Sequence, residues 1–205
     1  MMAEAQARAR NRGAVHGINV VSFFDGIACV AAALQRVRVG VARYEAVDND
    51  ADGMGCCAIA AHHNPCAPTF AGISRTLPQD IDKITEQHII DLGLIHLVVG
   101  GPPCKDLSKA RLNPDKWGNP GKPGPGFRGP TGRLFPTFVK IVGWVRKHNP
   151  HVKFLVENVV FDHVPQDWEQ AGRDLGAPTL VDARKYSYTK RNRAFWHNFQ
   201  LPPHW

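Results

Sequence analysis

The feature that most constrains the fold of this chain is a short apolar run that stops abruptly at glycine and proline. Residues 95–99 are rich in β-branched side chains, which predicts a buried β-strand. The Gly-Gly-Pro-Pro sequence at 100–103 can neither extend that strand nor begin a regular helix. Cys104 follows directly. The sequence therefore predicts a thiol on a rigid turn at the end of a buried strand, although a merely structural cysteine is the alternative from these residues alone.

The rest of the chain alternates between strand and helix patterns. The first strand is predicted over 19–24 and closes at Asp25-Gly26, before a helix over 28–37. The second strand, over 39–47, ends at Asp48, an acid placed either to bind ribose hydroxyls or to lie in a solvated turn. Further strands are predicted around 69–73 and over 152–156, 179–183 and 194–199, and further helices over 53–62, 83–92 (capped by Asp82), 131–148 and 165–175.

This alternation predicts an α/β fold with a doubly wound, mostly parallel sheet and helices on both faces. In the doubly wound order, the first, fourth and fifth strands are neighbours. Asp25, Cys104 and Glu157 should then lie at the same carboxyl edge of the sheet. Such a set of residues suggests covalent group transfer by a cysteine nucleophile beside a cofactor pocket. A thiol protease is disfavoured, because no histidine is obviously paired with Cys104.

Composition narrows the class of protein. The net charge of +7 and a pI near 9.4 suit a polyanionic partner without requiring one. No apolar run is long enough for a bilayer span, so no membrane partner is expected. The five cysteines do not resemble a disulfide framework and indicate a reducing compartment. The cysteines and histidines at 56–66 have poor ligand spacing, so no metal is predicted.

Two segments are predicted to lie outside the regular fold. Residues 1–17 are rich in arginine and alanine, which favours a disordered basic tail and leaves an organelle transit peptide as the alternative. Residues 109–130 carry eight glycines and prolines between Pro114 and Gly126, with lysines and arginines among them. We expect this second segment to be a loop that packs no core and forms a basic lid over the active site.

Four short motifs occur in order along the chain: Phe24-Asp25-Gly26, Gly101-Pro102-Pro103-Cys104, Glu157-Asn158-Val159 and Arg191-x-Arg193. Together they resemble the C5-cytosine DNA methyltransferases, and most of all their de novo branch, which the segments at 131–135 and 193–198 also resemble. The resemblance implies a Rossmann-like S-adenosylmethionine-dependent catalytic domain over 18–205. It also implies a DNA partner whose cytosine is flipped out of the duplex.

The resemblance assigns roles to particular residues. Cys104 would add to C6 of cytosine, Glu157 would hydrogen-bond N3 and the exocyclic amine, and Asn158 would fix the Pro-Cys turn. Arg191 and Arg193 would hold the flipped nucleotide. The cofactor residues implied are Phe24, Asp25, Gly26, Ile27, Asp48 (ribose), Asp80 and Ile81 (adenine), Gly101 and Pro102.

Some positions depart from the family pattern. Ala28 replaces a common glycine, and Lys105 adds a cation beside the thiol. The resemblance stops at the eighth motif, so we expect a partial domain without the target-recognition segment. Alternatives are an inactive accessory relative that binds DNA or a related methyltransferase, as a homo- or hetero-oligomer, and an RNA cytosine-5 methyltransferase. The location expected is the nucleus in a eukaryote and otherwise the cytoplasm.

Overall fold

Seven short strands form a single sheet in the computed structural model, which describes residues 17–49, 73–114 and 121–201. In chain order the strands are β1 (Ile18–Phe23), β2 (Val41–Val47), β3 (Ile73–Ser74), β4 (Leu97–Gly100), β5 (Lys153–Val159), β6 (Thr179–Asp182) and β7 (Asn192–His197). Across the sheet they lie in the order β3-β2-β1-β4-β5-β7-β6.

The centre of the sheet is parallel and one margin is antiparallel. β1 pairs in parallel with both β2 and β4, and β4 pairs in parallel with β5. β7 lies antiparallel between β5 and β6. The first, fourth and fifth strands are therefore neighbours, and the predicted doubly wound, mostly parallel α/β fold is confirmed.

Helices cover both faces of this sheet. They are α1 (Cys29–Arg36), α2 (Glu86–Leu92), α3 (Leu134–His148) and α4 (Pro165–Leu175). Neighbouring strand residues point to opposite faces, so Val20 packs in a small cluster with Ala31 of α1. Val21 and Phe23 join the larger cluster on the other face, with Phe138 of α3. The hydrophobic core is thus divided by the sheet, and the larger part lies under α2, α3 and α4.

The start predicted for the helix over 83–92, which is α2 in the structure, was wrong. Asp82 lies in a separate 3-10 turn, Ile81–Lys83, and α2 begins only after Thr85. The Thr85 hydroxyl accepts a hydrogen bond from the His88 amide, and the Thr85 amide donates to His88 Nδ1 at 3.1 Å. This reciprocal capping satisfies the first turn of α2, so the cap is a threonine and not the preceding acid.

The glycine- and proline-rich loop packs more closely than its composition predicted. In a 3-10 turn at Gly126–Arg128, Phe127 stacks on Phe135 with ring centroids 5.1 Å apart. The Phe127 amide donates to the Asp167 carboxylate at 2.7 Å. A side chain at Gly132 would collide with the backbone of Gly126, so the two segments approach more closely than other residues allow. The prediction that the loop packs no core was therefore wrong for this part of it.

Several predictions fall outside the described residues. They are the tail at 1–16, the helix over 53–62, the cysteines and histidines at 56–66, and most of the strand expected at 69–73. Among the helices in the described ranges, none is long and apolar enough to cross a membrane.

Candidate active site

The Gly-Pro-Pro-Cys turn is held by the buried side chain of Asn158. β4 ends at Gly100, and the Pro102 carbonyl accepts a hydrogen bond from Asn158 Nδ2 at 3.0 Å. Asn158 is 1 % exposed, and its Oδ1 accepts the Val159 amide at 2.8 Å, so the amide cannot rotate away. The Cys104 carbonyl accepts the Leu107 amide at 3.0 Å, which closes the turn. A half-buried thiol is thereby held at the carboxyl edge of the sheet.

The neighbouring strand runs further than the sequence predicted. Residues 157 and 158 were expected just after a strand ending at Val156, but β5 continues to Val159. Pairing with β4 stops at Val156, while β7 pairs with Glu157 and Asn158 on the other side. The extension occurs because an antiparallel partner takes over where the parallel one ends. Glu157 is thus set rigidly in a strand beside the cysteine turn, rather than on a loop.

Glu157 forms an ion pair with Arg193. Arg193 Nε lies 2.7 Å from Glu157 Oε1, and the two side chains are only 18 % and 32 % exposed. A Cβ atom at Gly101 would lie 3.1 Å from Glu157 Oε2, so the glycine leaves space for the second carboxylate oxygen. Cys104, Glu157, Asn158 and Arg193 are therefore gathered at one place.

Arg191 does not join this group. It lies in the turn before β7, its side chain is exposed, and its carbonyl accepts the Ala183 amide at 3.1 Å. Of Arg191 and Arg193, both in the described part of the chain, only Arg193 contacts Glu157. Arg193 lies in β7 two residues from Phe195, the cross-strand partner of Glu157, so Arg193 and Glu157 project from the same face of the sheet. Arg191 precedes β7 and is outside this register.

The segment after the cysteine is anchored by Asp106, which sequence reasoning missed. Asp106 Oδ2 accepts from the hydroxyl and amide of Thr131, at 2.7 and 2.8 Å, and from the Gly132 amide at 3.1 Å. The Thr131 hydroxyl, the two amides and nearby Arg111 hold the pKa of the Asp106 carboxyl below its ordinary value. The Thr-Gly pair 25 residues downstream was the signal, but its partner could not be identified without the fold.

The first strand ends in a tight turn with three left-handed residues. Phe24, Gly26 and Ala28 have φ values of 55°, 52° and 58°. The Gly26 amide donates to Asp48 Oδ2 at 2.6 Å, which ties the ends of β1 and β2 together. The Phe24 ring meets Phe138 edge-on, with centroids 5.9 Å apart. This strained backbone is held by contacts on both sides, as expected of a preorganised binding turn.

Asp25 is buried beneath this turn. Its Oδ1 accepts the Tyr44 hydroxyl at 2.6 Å, and the residue is 8 % exposed. Burial raises the pKa of the Asp25 carboxyl above its ordinary value and raises that of the Tyr44 hydroxyl as well. Asp25 therefore supports the turn from inside the protein through Tyr44. It is not among the described residues that line the adjoining cavity.

A cavity of about 290 Å³ opens between the ends of β1 and β2 and the start of α3. Four of the predicted cofactor residues line it: Phe24, Asp48, Asp80 and Ile81. Five others are not among the described lining residues: Asp25, Gly26, Ile27 (49 % exposed), Gly101 and Pro102. Gly26 supports the cavity through Asp48, and Pro102 supports the cysteine turn through Asn158.

Eight further residues line the cavity and were not predicted as cofactor residues, among them Gln79, Pro103 and Arg133. The Gln79 Oε1 accepts the Asp48 amide at 3.3 Å, and Arg133 pairs with Asp82 at 2.7 Å. Pro103 is shared with the cysteine turn, so the cavity ends next to Cys104 in the chain. No local pattern marks Gln79, because its role depends on the position of β2.

Comparisons with solved structures agree with the fold of the sheet and its helices. The structure of the S. pombe Dnmt2 methyltransferase is similar with a TM-score of 0.53 and 15 % identity, covering 90 % of this chain and 51 % of that one. A putative DNA modification methyltransferase encoded within an E. coli prophage is similar with a TM-score of 0.50 and 18 % identity, covering 88 % of this chain and 46 % of that one. The chain thus spans about half the length of either protein, and at these identities the likeness shows the fold.

The family assignment rests on a separate match in sequence. The family model described as C-5 cytosine-specific DNA methylase matches residues 18–161, which include the cysteine turn and the Glu157-Asn158 pair. The particular likeness to the de novo branch stays a prediction. This chain belongs to the C-5 cytosine-specific DNA methylase family.

Proposed function

We propose that this chain transfers a methyl group from S-adenosylmethionine to C5 of cytosine in DNA, through a covalent bond between Cys104 and C6. The observation that carries the proposal is the fixed cysteine turn, held by Asn158 beside the Glu157–Arg193 ion pair. The cysteine turn follows β4, Glu157 and Asn158 lie in β5, and Arg193 lies in β7, so these residues are brought together only by the fold. Family membership supports cytosine as the reacting base.

The chemistry explains why a cysteine is needed. C5 of cytosine is a poor nucleophile until a group adds to C6. Addition of the Cys104 thiolate makes C5 enamine-like, and C5 can then take an electrophilic methyl group. The hydrogen at C5 afterwards leaves as a proton to water, and the thiolate leaves C6. The double bond is restored and the enzyme regains its free thiol.

Glu157 and Arg193 would stabilise the base while the thiolate adds. Negative charge develops at N3 of the ring as the thiolate adds to C6. A carboxyl group hydrogen-bonded to N3 can stabilise this charge by donating a proton. Arg193 binds Oε1 of Glu157, so the oxygen near Gly101, Oε2, is the one presented to the base. In this arrangement Arg193 orients Glu157 as well as binding the nucleotide.

The cavity beside the turn fits the chemistry of S-adenosylmethionine. Carboxylates at Asp48 and Asp80 suit ribose hydroxyls and a cationic sulfonium, while Phe24, Ile81 and Leu134 offer apolar walls for adenine. The left-handed turn at Gly26, with no atom within 4 Å of a hypothetical Cβ, leaves open space above the backbone. When bound, the cofactor supplies the electrophilic methyl group.

Covalent trapping tests the proposal. The protein would be incubated with S-adenosylmethionine and DNA containing 5-fluorocytosine, in which fluorine at C5 cannot leave as a proton and the adduct accumulates. We expect an adduct mapped by mass spectrometry to Cys104, and none with the Cys104→Ser variant, which keeps the turn but weakens the nucleophile.

Parallel measurements distinguish the alternatives. RNA of the same sequence serves as the second substrate, and calorimetry reports cofactor binding separately. Trapping on RNA alone would contradict the DNA assignment. Cofactor binding without any adduct on either nucleic acid would contradict the enzymatic proposal and favour an accessory relative.

A further inference from the structure

A second, larger groove lies on the other side of the Glu157–Arg193 pair from the cofactor cavity. It has a volume of about 530 Å³ and runs between the segment after Cys104, the end of β5, and the β6–β7 margin. Five of its described lining residues are charged: Lys109, Asp162, Asp182, Lys185 and Arg193. Since Arg193 also binds Glu157, the groove leads directly to the proposed base-binding site.

The carboxylates of this groove are already neutralised. Lys109 Nζ lies 2.6 Å from Asp162, and Arg184 Nε donates to Asp182 at 2.7 Å. By contrast, Lys185 and Lys190 have no carboxylate within 4 Å among the described residues, and both are exposed. Lys185 lines the groove, and Lys190 lies two residues before β7, whose first residues Asn192 and Arg193 also line it. The uncompensated charge of this region is therefore positive, and it suits a polyanion.

Two exposed tyrosines stand among these cations. We call residues 183–190, which join β6 to β7, the 183–190 connection. Tyr188 is fully exposed and Tyr186 is 64 % exposed, although an aromatic ring is normally buried at least in part. The backbone of the connection makes local hydrogen bonds: the Ala183 carbonyl accepts the amides of Tyr186 and Ser187 at 2.9 and 2.8 Å, and the Thr189 amide donates to the Ser187 hydroxyl at 3.2 Å. An exposed aromatic ring between lysines is typical of surfaces on which unpaired bases stack.

We infer that this groove and the 183–190 connection bind the nucleic-acid strand that carries the target base, with phosphates on Lys185 and Lys190 and an unpaired base on Tyr188. The inference rests on the proposed function for the identity of the ligand class. It goes beyond that function by naming a surface outside the catalytic residues, at the antiparallel margin of the sheet. An acidic protein surface would use the lysines but would leave Tyr188 without a comparable role.

Binding without turnover tests the inference. Fluorescence anisotropy would report the affinity for a single-stranded oligodeoxynucleotide without cofactor, so a failure of methylation does not affect the result. For Lys185→Ala/Lys190→Ala we expect affinity to fall by ~10-fold and the salt slope to shrink by roughly 0.7 for each phosphate that is no longer bound. The control, Arg36→Ala/Lys153→Ala, removes two exposed cations away from the carboxyl edge, at the end of α1 and at the start of β5. This control should bind normally.

Tyr188 distinguishes base stacking from charge alone. Tyr188→Ala should weaken oligonucleotide binding by ~10-fold, whereas Tyr188→Phe, which keeps the ring, should bind like the native chain. Inorganic polyphosphate, which has no bases, should be insensitive to either tyrosine change but sensitive to the lysine variant. An equal loss of affinity for both ligands in Tyr188→Ala would overturn the stacking role. Normal oligonucleotide binding by the double lysine variant would overturn the site altogether.

Discussion

The carboxyl edge of the sheet has two halves, one at β1 and β2 and the other at β4, β5 and β7, and the two are built differently. On the β1–β2 side, an unusual backbone shapes the site: three left-handed residues form a turn, and Asp48 holds the Gly26 amide. On the β4–β5–β7 side, the backbone is regular and rigid, and side chains make the contacts. A backbone turn of this kind leaves room for a ligand to approach the main chain closely, whereas side chains fixed in paired strands suit the precise orientation of a base.

The halves also differ in charge. The cofactor cavity is lined by Asp48, Asp80 and Asp82, with Arg133 paired to the last of these. The groove beyond Glu157 is lined by Lys185, which has no carboxylate within 4 Å among the described residues. Acids on one side suit the proposed cationic cofactor, and cations on the other suit the proposed nucleic acid, so the proposal predicts that the sheet edge separates the two ligands electrostatically. If this division is correct, changes on one side should leave the other side's ligand unaffected.

The largest effect is expected from Glu157→Gln. The amide keeps the size of the side chain but loses the ion pair with Arg193 and the ability to transfer a proton to N3. We expect kcat to fall by ~10²–10³-fold, as when one transition-state interaction is removed, with the Kd for S-adenosylmethionine unchanged. The matched control is Glu169→Gln, an exposed residue on α4. An equal loss of cofactor affinity would show that the two halves are coupled.

A smaller and opposite pattern is expected from Asp48→Asn. The neutral side chain weakens the 2.6 Å hydrogen bond from Gly26 and removes a carboxylate from the cavity. We expect the Kd for the cofactor to rise by ~10–100-fold, because a hydrogen bond to a charged group is weakened. Oligonucleotide affinity should not change. Asp174→Asn, on the exposed end of α4, is the control, and a change in oligonucleotide affinity would contradict the division.

The contrast between the halves also bears on what could be predicted from sequence. The cysteine turn and the adjacency of strands one, four and five followed from local patterns and from the handedness of parallel crossovers. The hydrogen bond from Asn158 to Pro102, which the family resemblance implied, is present. The extension of β5 was missed, because its cause is the antiparallel β7, nearly forty residues later in the chain.

The missed residues have a common property. Gln79, Tyr44 and Asp106 all act through partners that are distant in sequence and close in the fold. Asp25 was assigned to the cofactor from its motif, yet its carboxylate turns inward to Tyr44. A motif fixes the position of a residue along the chain, but the direction of its side chain depends on the packing beneath it.

Gly100 lies where the two halves meet and offers a stability test. A Cβ atom there would lie 2.5 Å from the Phe138 ring, which also packs against Phe23 and Phe24. Gly100→Ala should therefore reduce the free energy of unfolding by ~1–3 kcal/mol through overpacking. Gly143→Ala, in α3 with no atom within 4 Å of the new Cβ, should instead add about 0.5–1 kcal/mol. Urea unfolding measures both, and a stable Gly100→Ala would contradict the packing described.

The smallest effects, and the most specific ones, concern Asp25 and Asp106, which should respond to pH with opposite signs. Burial raises the pKa of Asp25 in the folded state, so ionising it costs stability as pH rises from its unfolded value of 3.8 through its folded value. Asp25→Asn keeps an acceptor for Tyr44 without the charge and should be more stable than the native chain at neutral pH.

For Asp106 the sign is reversed. Hydrogen bonds from Thr131 and Gly132 lower its folded pKa below 3.8, so its contribution is present above that value and is lost as pH falls through the folded pKa. Asp106→Asn should be less stable at neutral pH, because an amide nitrogen would face the donors. Urea midpoints from about pH 3 to about pH 8 would show both differences shrinking in acid. Differences of the same sign would contradict the contrast between a buried, raised carboxyl on the cofactor side and a hydrogen-bonded, lowered one beside the cysteine.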